Sequence, residues 1–112
     1  MNIEELRGYA LSRDGATESF PFGETTLVFK VNNKIFLLAS LDAQPLQFNV
    51  KCLPERAIEL REMHESVLPG YHMNKKHWNT ILVDGSLSRR ELQDFINDSY
   101  ELVKGPAKKK SK

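Results

Sequence analysis

The chain has few cysteines and no long apolar run, and both absences limit what it can be. A single cysteine, Cys52, is present among 112 residues, so no disulfide can form within the chain. No apolar run approaches the length of a membrane-spanning helix, and the acidic start, Met1-Asn2-Ile3-Glu4-Glu5, lacks a hydrophobic signal region. We therefore expect a cytoplasmic protein that does not associate with membranes.

Familiar catalytic and metal-binding motifs are also absent from the sequence. It contains no Gly-x-Ser-x-Gly elbow, no glycine loop for phosphate and no paired-carboxylate motif. His64, His72 and His77 match no zinc-ligand spacing, and Cys52 falls on an inward position of a predicted strand. We expect a non-enzymatic protein without metal or cofactor. An uncharacterised enzyme that uses His72 or His77 as a general base stays open.

Acidic residues are missing from one segment, Pro69 to Thr80, which is rich in other polar groups. It holds two aromatic residues, two histidines, two lysines and two asparagines within twelve positions. Lysines can pair with phosphates, aromatic rings can stack on bases, and asparagines can bond to base edges or phosphate oxygens. The segment is therefore a candidate ligand surface.

The same segment also has a purely structural interpretation. Pro69-Gly70 favours a turn, the asparagines can cap backbone groups, and the lysines can belong to a solvated loop. An aromatic residue beside the start of a strand usually packs inward, so we expect Trp78 to anchor the core.

The net charge of +1 conceals an uneven distribution. Residues 104–112 carry five lysines and no acid, which leaves 11 basic against 15 acidic residues in the rest, a formal charge of −4. Affinity for nucleic acid comes chiefly from neutralising phosphates, so DNA binding by this body requires a local basic patch or the tail. We expect one domain over residues 1–103 and a disordered lysine-rich tail over residues 104–112.

Local patterns predict three helices and four strands. Capping boxes at Asn2/Glu5 and Ser88/Glu91 begin the first and third helices, and Pro54 occupies the first position of the second. Asn32-Asn33 predicts a two-residue hairpin turn. The expected helices span residues 3–13, 54–64 and from 89 to about 103; the expected strands span residues 26–31, 34–39, 46–52 and 79–83.

A regular two-residue hairpin would pair Val31 with Lys34, and then Phe29 with Phe36 and Leu27 with Leu38. In the next strand, alternation sends Phe48 and Val50 inward, and Gln47, Asn49 and Lys51 outward. On this reading Lys30, Asn49 and Lys51 share the polar side of neighbouring strands and form a second candidate patch. Strand-surface lysines that deter edge pairing are the alternative.

The chain resembles the MmcQ/YjbR family, small bacterial proteins usually described as DNA-binding. The resemblance spans nearly the whole body and excludes the tail. It is most specific in five stretches: Pro21-Phe22-Gly23, Val28-Phe29-Lys30-Val31, Lys51-Cys52-Leu53-Pro54, Pro69 to Thr80, and Ser99-Tyr100-Glu101-Leu102-Val103.

This resemblance implies a fold and a partner. The fold is an α+β two-layer sandwich in which helices flank a curved antiparallel sheet, similar to bacterial frataxin (CyaY-like). The partner is DNA, held by a paired-wing element of strands and loops. The residues expected to contact DNA are Lys30, Asn49, Lys51, Tyr71, His72, Asn74, Lys75, Lys76 and His77. A protein-interaction or small-anion module that uses the same surface is the main alternative.

Overall fold

The computed structural model describes residues 1–70 and 73–105, and within them the chain folds into one six-stranded sheet and three helices. All neighbouring strands are antiparallel, in the order β1-β2-β3-β4-β6-β5, so the predicted α+β class is confirmed. The elements are α1 (Ile3–Leu11), β1 (Thr17–Ser19), β2 (Thr26–Val31), β3 (Lys34–Ser40), β4 (Gln47–Lys51), α2 (Pro54–Met63), β5 (Val67–Pro69), β6 (Trp78–Leu82) and α3 (Arg89–Lys104).

The helices begin where their capping signals predict. The side chain of Asn2 accepts a hydrogen bond from the Glu5 amide at 2.8 Å, and the Glu5 carboxylate accepts one from the Asn2 amide at 3.0 Å. Ser88 and Glu91 repeat this reciprocal arrangement at the start of α3. Each pair satisfies amide groups that an uncapped helix leaves without partners. The last helix also includes Lys104, with Gly105 as its C-terminal cap.

The predicted hairpin is present. Asn32 and Asn33 adopt left-handed φ angles of 52° and 66°, and Val31 pairs with Lys34. Asparagine tolerates this conformation better than most residues, so two adjacent asparagines suit the turn.

Beyond the turn, the expected register is wrong. A β-bulge follows the Lys30–Ile35 pair, so Phe36 becomes an extra residue and Phe29 pairs with Leu37. A bulge shifts every later partner by one position, and because side chains alternate between the faces of a sheet, it also exchanges their sides. Leu38, which the expected register paired with Leu27, therefore pairs with Val28 and lies on the opposite face.

The hydroxyl group of Ser99 bridges β3 and β4 at the bulge. This residue of α3 is fully buried; it donates a hydrogen bond to the Phe36 carbonyl at 2.6 Å and accepts one from the Lys51 amide at 2.8 Å. The ladder between these strands ends at the Leu37–Val50 pair, so Phe36 and Lys51, the next residues along, do not pair with each other. The serine thus satisfies two backbone groups where the two strands no longer pair directly.

The core lies between the sheet and the helices. Tyr100 of α3 meets Phe36 edge-on, with ring centroids 5.4 Å apart, and its hydroxyl donates to the Asp14 carbonyl. Five residues that recur at helical spacing along α3 are buried: Leu92, Phe95, Ile96, Ser99 and Val103. Opposite them, the sheet contributes Leu27, Phe29, Leu37, Ala39, Phe48, Val50 and Ile81.

The other face of the sheet, here called the open face, lies away from the helices. Cross-strand pairing aligns Val28, Leu38, Asn49, Thr80 and Leu68 in one row across it. The first four are buried, although neither Val28 nor Leu38 belongs to the core on the helical side. Within the part of the chain that the structure covers, no helix is both long and apolar enough to span a bilayer.

Candidate nucleic-acid interface

Sheet topology gathers lysines at one end of the molecule. The β2–β3 turn, the end of β4, the start of β6 and the end of α3 all lie at this end. The Asn32 side-chain amide donates to the Lys104 carbonyl at 3.3 Å, which joins the hairpin turn to α3. We call this region the basic end; its lysines are Lys30, Lys34, Lys51, Lys75, Lys76 and Lys104.

The expected patch of Lys30, Asn49 and Lys51 is only partly formed. All three side chains belong to the open face, as predicted, but β3 separates β2 from β4. Two strand spacings place Lys30 roughly 9–10 Å from the β4 row. Asn49 is only 8% exposed, and its side-chain oxygen accepts a hydrogen bond from the Thr80 hydroxyl. The lysines can therefore contact separate phosphates, whereas Asn49 forms part of the floor between them.

The loop before β6 is held by its own polar groups. The Asn74 side-chain oxygen accepts from the Lys76 amide at 2.9 Å, and its carbonyl accepts from the Trp78 amide at 2.9 Å. The ammonium group of Lys75 donates to the Gly70 carbonyl at 3.0 Å. Asn74 thus caps backbone groups, as the structural interpretation predicted, while Lys76 is exposed. Tyr71 and His72, both expected site residues, lie outside the described residues.

Arg61 of α2 supports this loop. Its Nε donates to the Asn79 side-chain oxygen at 2.7 Å, and its terminal nitrogen donates to the Lys75 carbonyl. The Asn79 amide group in turn donates to the Ala57 carbonyl of α2 at 3.3 Å. A guanidinium group can make several bonds in fixed directions, so Arg61 sets the distance between the loop and α2.

His77 and Cys52 meet through their backbones. The Cys52 amide donates to the His77 carbonyl at 2.7 Å, which joins the end of β4 to the loop. Burial raises the pKa of the Cys52 thiol, which favours the protonated, less nucleophilic form. Across residues 1–70 and 73–105, no three histidine, cysteine or acidic side chains are grouped closely enough to hold a metal ion.

Trp78 does not anchor the core, contrary to expectation. It pairs with Lys51 across β4 and β6, on the open face, and remains partly exposed. The reason is alternation along β6: Asn79 and Ile81 point to the helices, so Trp78 and Thr80 point away. Trp78 is thus a residue of the candidate interface that sequence reasoning assigned to the wrong side.

Gly70 lies beside Trp78 on the adjacent strand segment. Its amide donates to the Trp78 carbonyl at 2.9 Å, and a β-carbon at position 70 would be 2.8 Å from the β-carbon of Trp78. Real β-carbons do not approach each other this closely, so only glycine fits here without displacement. The absence of a side chain at position 70 lets the backbone pass close to the tryptophan.

Comparison with known proteins identifies close relatives. The family model described as YjbR matches residues 11–102. The uncharacterized protein YbdF of Escherichia coli O157:H7 is 42% identical over 85 residues, covering 75% of this chain and 69% of that protein. The uncharacterized protein YjbR of Escherichia coli (strain K12) is 32% identical over 101 residues, covering 90% of this chain and 86% of the relative.

A solved structure supports the same relationship. The crystal structure of Deinococcus radiodurans protein DR2400, with the family-model domain DUF419, aligns with a TM-score of 0.89 and 37% identity. The alignment covers 99% of this chain and 83% of that one. Fold and sequence agree along most of the chain, and on this basis the protein belongs to the YjbR family.

Proposed function

We propose that this protein is a non-enzymatic, cytoplasmic DNA-binding protein that contacts DNA with its basic end. One observation carries the proposal: the fold brings Lys30, Lys34, Lys51 and the loop lysines Lys75 and Lys76 to the same end of the sheet. Lysine side chains in such an arrangement can neutralise neighbouring phosphates, which supplies most of the affinity of non-specific binding.

The distribution of acids favours the same end. Glu24, Asp42 and Asp84 lie in the connections at the opposite end of the strands, away from the β2–β3 turn. Other acids belong to α2 and α3; among them, Asp98 and Glu101 lie beside Cys52 near the basic end, and Glu101 pairs with Lys104 at 3.6 Å. The lysines of the strands and of the loop before β6 are therefore the charges left available to an anionic partner. A curved, CyaY-like sheet would offer that partner a concave surface.

Replacement of Lys75 and Lys76 by alanine tests the proposal. We expect weaker binding to a short labelled duplex, and a plot of log affinity against log salt that is shallower by about one to two, because Lys76 is exposed whereas Lys75 also bonds to the Gly70 carbonyl. Fluorescence anisotropy over a salt series measures both quantities. Circular dichroism should show an unchanged fold.

A matched control removes two charges from the other end. Arg89 and Arg90 begin α3, and their side chains are exposed. The Arg89→Ala/Arg90→Ala variant should bind DNA nearly as the parent does. Equal losses in both double variants would show non-specific charge attraction, and no binding of the parent at low salt would remove the DNA proposal.

A chain ending at Gly105 separates the body from the remaining tail lysines. If this shortened chain does not bind DNA at all, the DNA binding of the parent belongs to the tail alone.

A protein partner is the second candidate function, favoured by one apolar patch. Phe20 and Leu41 are 51% and 38% exposed and line the same surface hollow, and Phe22, two residues after Phe20, is 63% exposed. Exposed aromatic residues grouped in this way are typical of protein interfaces. Serine at both phenylalanines should leave DNA binding intact and abolish any self-association or partner binding, measurable by analytical ultracentrifugation.

A further inference from the structure

We propose that the nucleic acid bound at this interface is single-stranded, and that one of its bases stacks on the indole of Trp78. The inference rests on the proposed function and specifies its ligand. It begins from the position of the tryptophan, which lies on the open face at the basic end and directly opposite Lys51 in the β4–β6 ladder.

The surroundings of Trp78 suit a stacking contact. On one side, Lys51 supplies a positive charge for the backbone of the bound strand. On the other side, Gly70 contributes no side chain, so nothing from that position covers the indole. Base stacking on an aromatic side chain tolerates any sequence, and a nearby cation adds the phosphate contact that such sites need.

A cavity lies further along the same face. It has a volume of about 280 Å³ and is lined by Gln47, Leu68, Pro69 and Thr80. The amide of Gln47 carries both donors and an acceptor, which suits the edge of a base. Leu68 is 41% exposed and offers an apolar surface beside it. The open face thus combines a stacking surface with a mostly apolar cavity that has one side-chain amide, that of Gln47, and a size that admits a base.

A stacking contact on Trp78 is incompatible with the interior of an intact duplex. Bases in one strand of a duplex are stacked about 3.4 Å apart, and their faces are covered by neighbouring bases. An indole can stack on a base only when that face is free, as in an unpaired strand whose bases are spread apart.

The chain carries its own reporter, because Trp78 is its single tryptophan. Titration of the full chain with a mixed-sequence single strand should quench the tryptophan fluorescence. Anisotropy should show tighter binding to this strand than to the duplex of the same sequence. An abasic strand of equal length, which keeps the phosphates and lacks the bases, should bind more weakly and cause no quenching.

Substitutions separate stacking from charge. Trp78→Ala should weaken single-strand binding about ten- to hundred-fold, because stacking on an aromatic ring supplies that much affinity per base. Trp78→Phe should restore most of it. Phe22→Ala removes an equally aromatic, 63% exposed side chain from the opposite end of the sheet and should have no effect. Circular dichroism verifies folding, and if Trp78→Ala does not fold, the quenching and the abasic strand decide the question.

The outcomes distinguish this inference from the proposed function. The single-strand inference is overturned, while DNA binding stands, if the duplex binds as tightly as the single strand or more tightly. It is also overturned if the tryptophan fluorescence is not quenched in a saturated complex. Single-strand affinity that Trp78→Ala leaves unchanged also overturns it. Failure of both nucleic acids to bind at low salt removes the proposed function together with the inference.

Discussion

A single hydroxyl group, that of Ser99, determines how two strands meet beneath the candidate interface. The Phe36 carbonyl and the Lys51 amide both use it as their partner. Buried backbone groups almost always need a hydrogen bond, and at this position the ladder between β3 and β4 has already ended. Ser99 therefore lets the strands separate at the bulge without leaving those groups unsatisfied.

Ser99→Ala should lower the free energy of unfolding by about 1–3 kcal/mol, because it leaves a buried donor and a buried acceptor without a partner. Urea denaturation followed by circular dichroism measures the loss. Ser19→Ala is the control, since Ser19 is exposed on the edge strand β1 and should cost less than about 0.5 kcal/mol. Equal effects of the two substitutions would contradict the role assigned to Ser99.

At the scale of elements, the sequence predicted what local chemistry decides. The caps at Asn2 and Ser88 and the Asn32-Asn33 turn depend on residues close together in the chain, and all three are present. The bulge was missed because its stabilising partner, Ser99, lies 63 residues from Phe36. The strands β1 and β5 have three residues each, too few for an alternating pattern to be recognised.

In the candidate site, too, the sequence predicted what neighbouring residues decide and missed what distant residues decide. Alternation along β4 correctly placed Asn49 and Lys51 on the outward side. It could not show that β3 separates them from Lys30, because strand order depends on long-range contacts. Arg61 was missed for a related reason: a charged residue on a helix is ordinarily solvated, and only the packing of α2 against β6 gives it Asn79 as a partner.

Acid should destabilise the fold by protonating two carboxylates, Glu91 in the cap of α3 and Asp84 in the connection after β6. Hydrogen bonds from Ser88 lower the pKa of Glu91, and hydrogen bonds chiefly from Ser86 lower the pKa of Asp84. A carboxyl group whose pKa is lowered by folding stabilises the native state above its unfolded pKa, and this contribution is lost as the pH falls through the folded value. We therefore expect the free energy of unfolding to decrease below about pH 5.

Glu91→Gln tests this prediction, because glutamine can keep the capping box but does not titrate in this range. The variant should lose less stability than the parent between pH 5 and pH 3 in urea denaturation, within the range where carboxyl groups titrate. Asp98→Asn is a control that should change the stability lost in acid in the opposite direction. Partial desolvation and repulsion from Asp94 raise the pKa of Asp98, so replacing this carboxyl group should make the loss of stability in acid larger. An unchanged pH profile for Glu91→Gln would contradict the assigned role of this cap.

At the scale of the whole molecule, net charge is a poor guide to the DNA binding that we propose. Counting charges along the chain, with the tail set aside, gives a negative body and argues against DNA. The fold instead separates part of this charge in space: the strand connections at one end carry Glu24, Asp42 and Asp84, and the lysines of the strands and of the loop before β6 lie at the other end. The helical side stays mixed, with Arg89 at the start of α3 and Glu101 near its end. Composition contains no information about this separation, because it depends on strand order and direction.

This separation has a kinetic consequence. The field of an approaching polyanion would orient a molecule that gathers lysines at one end, so it would meet the proposed DNA partner with the lysines first. Charges of this kind change the rate of association more than the rate of dissociation. In stopped-flow experiments, rising salt should slow association steeply and alter dissociation little. Alanine at Lys75 and Lys76 should lower the association rate clearly. Alanine at Arg89 and Arg90, at the far end of α3, should lower this rate slightly or not at all.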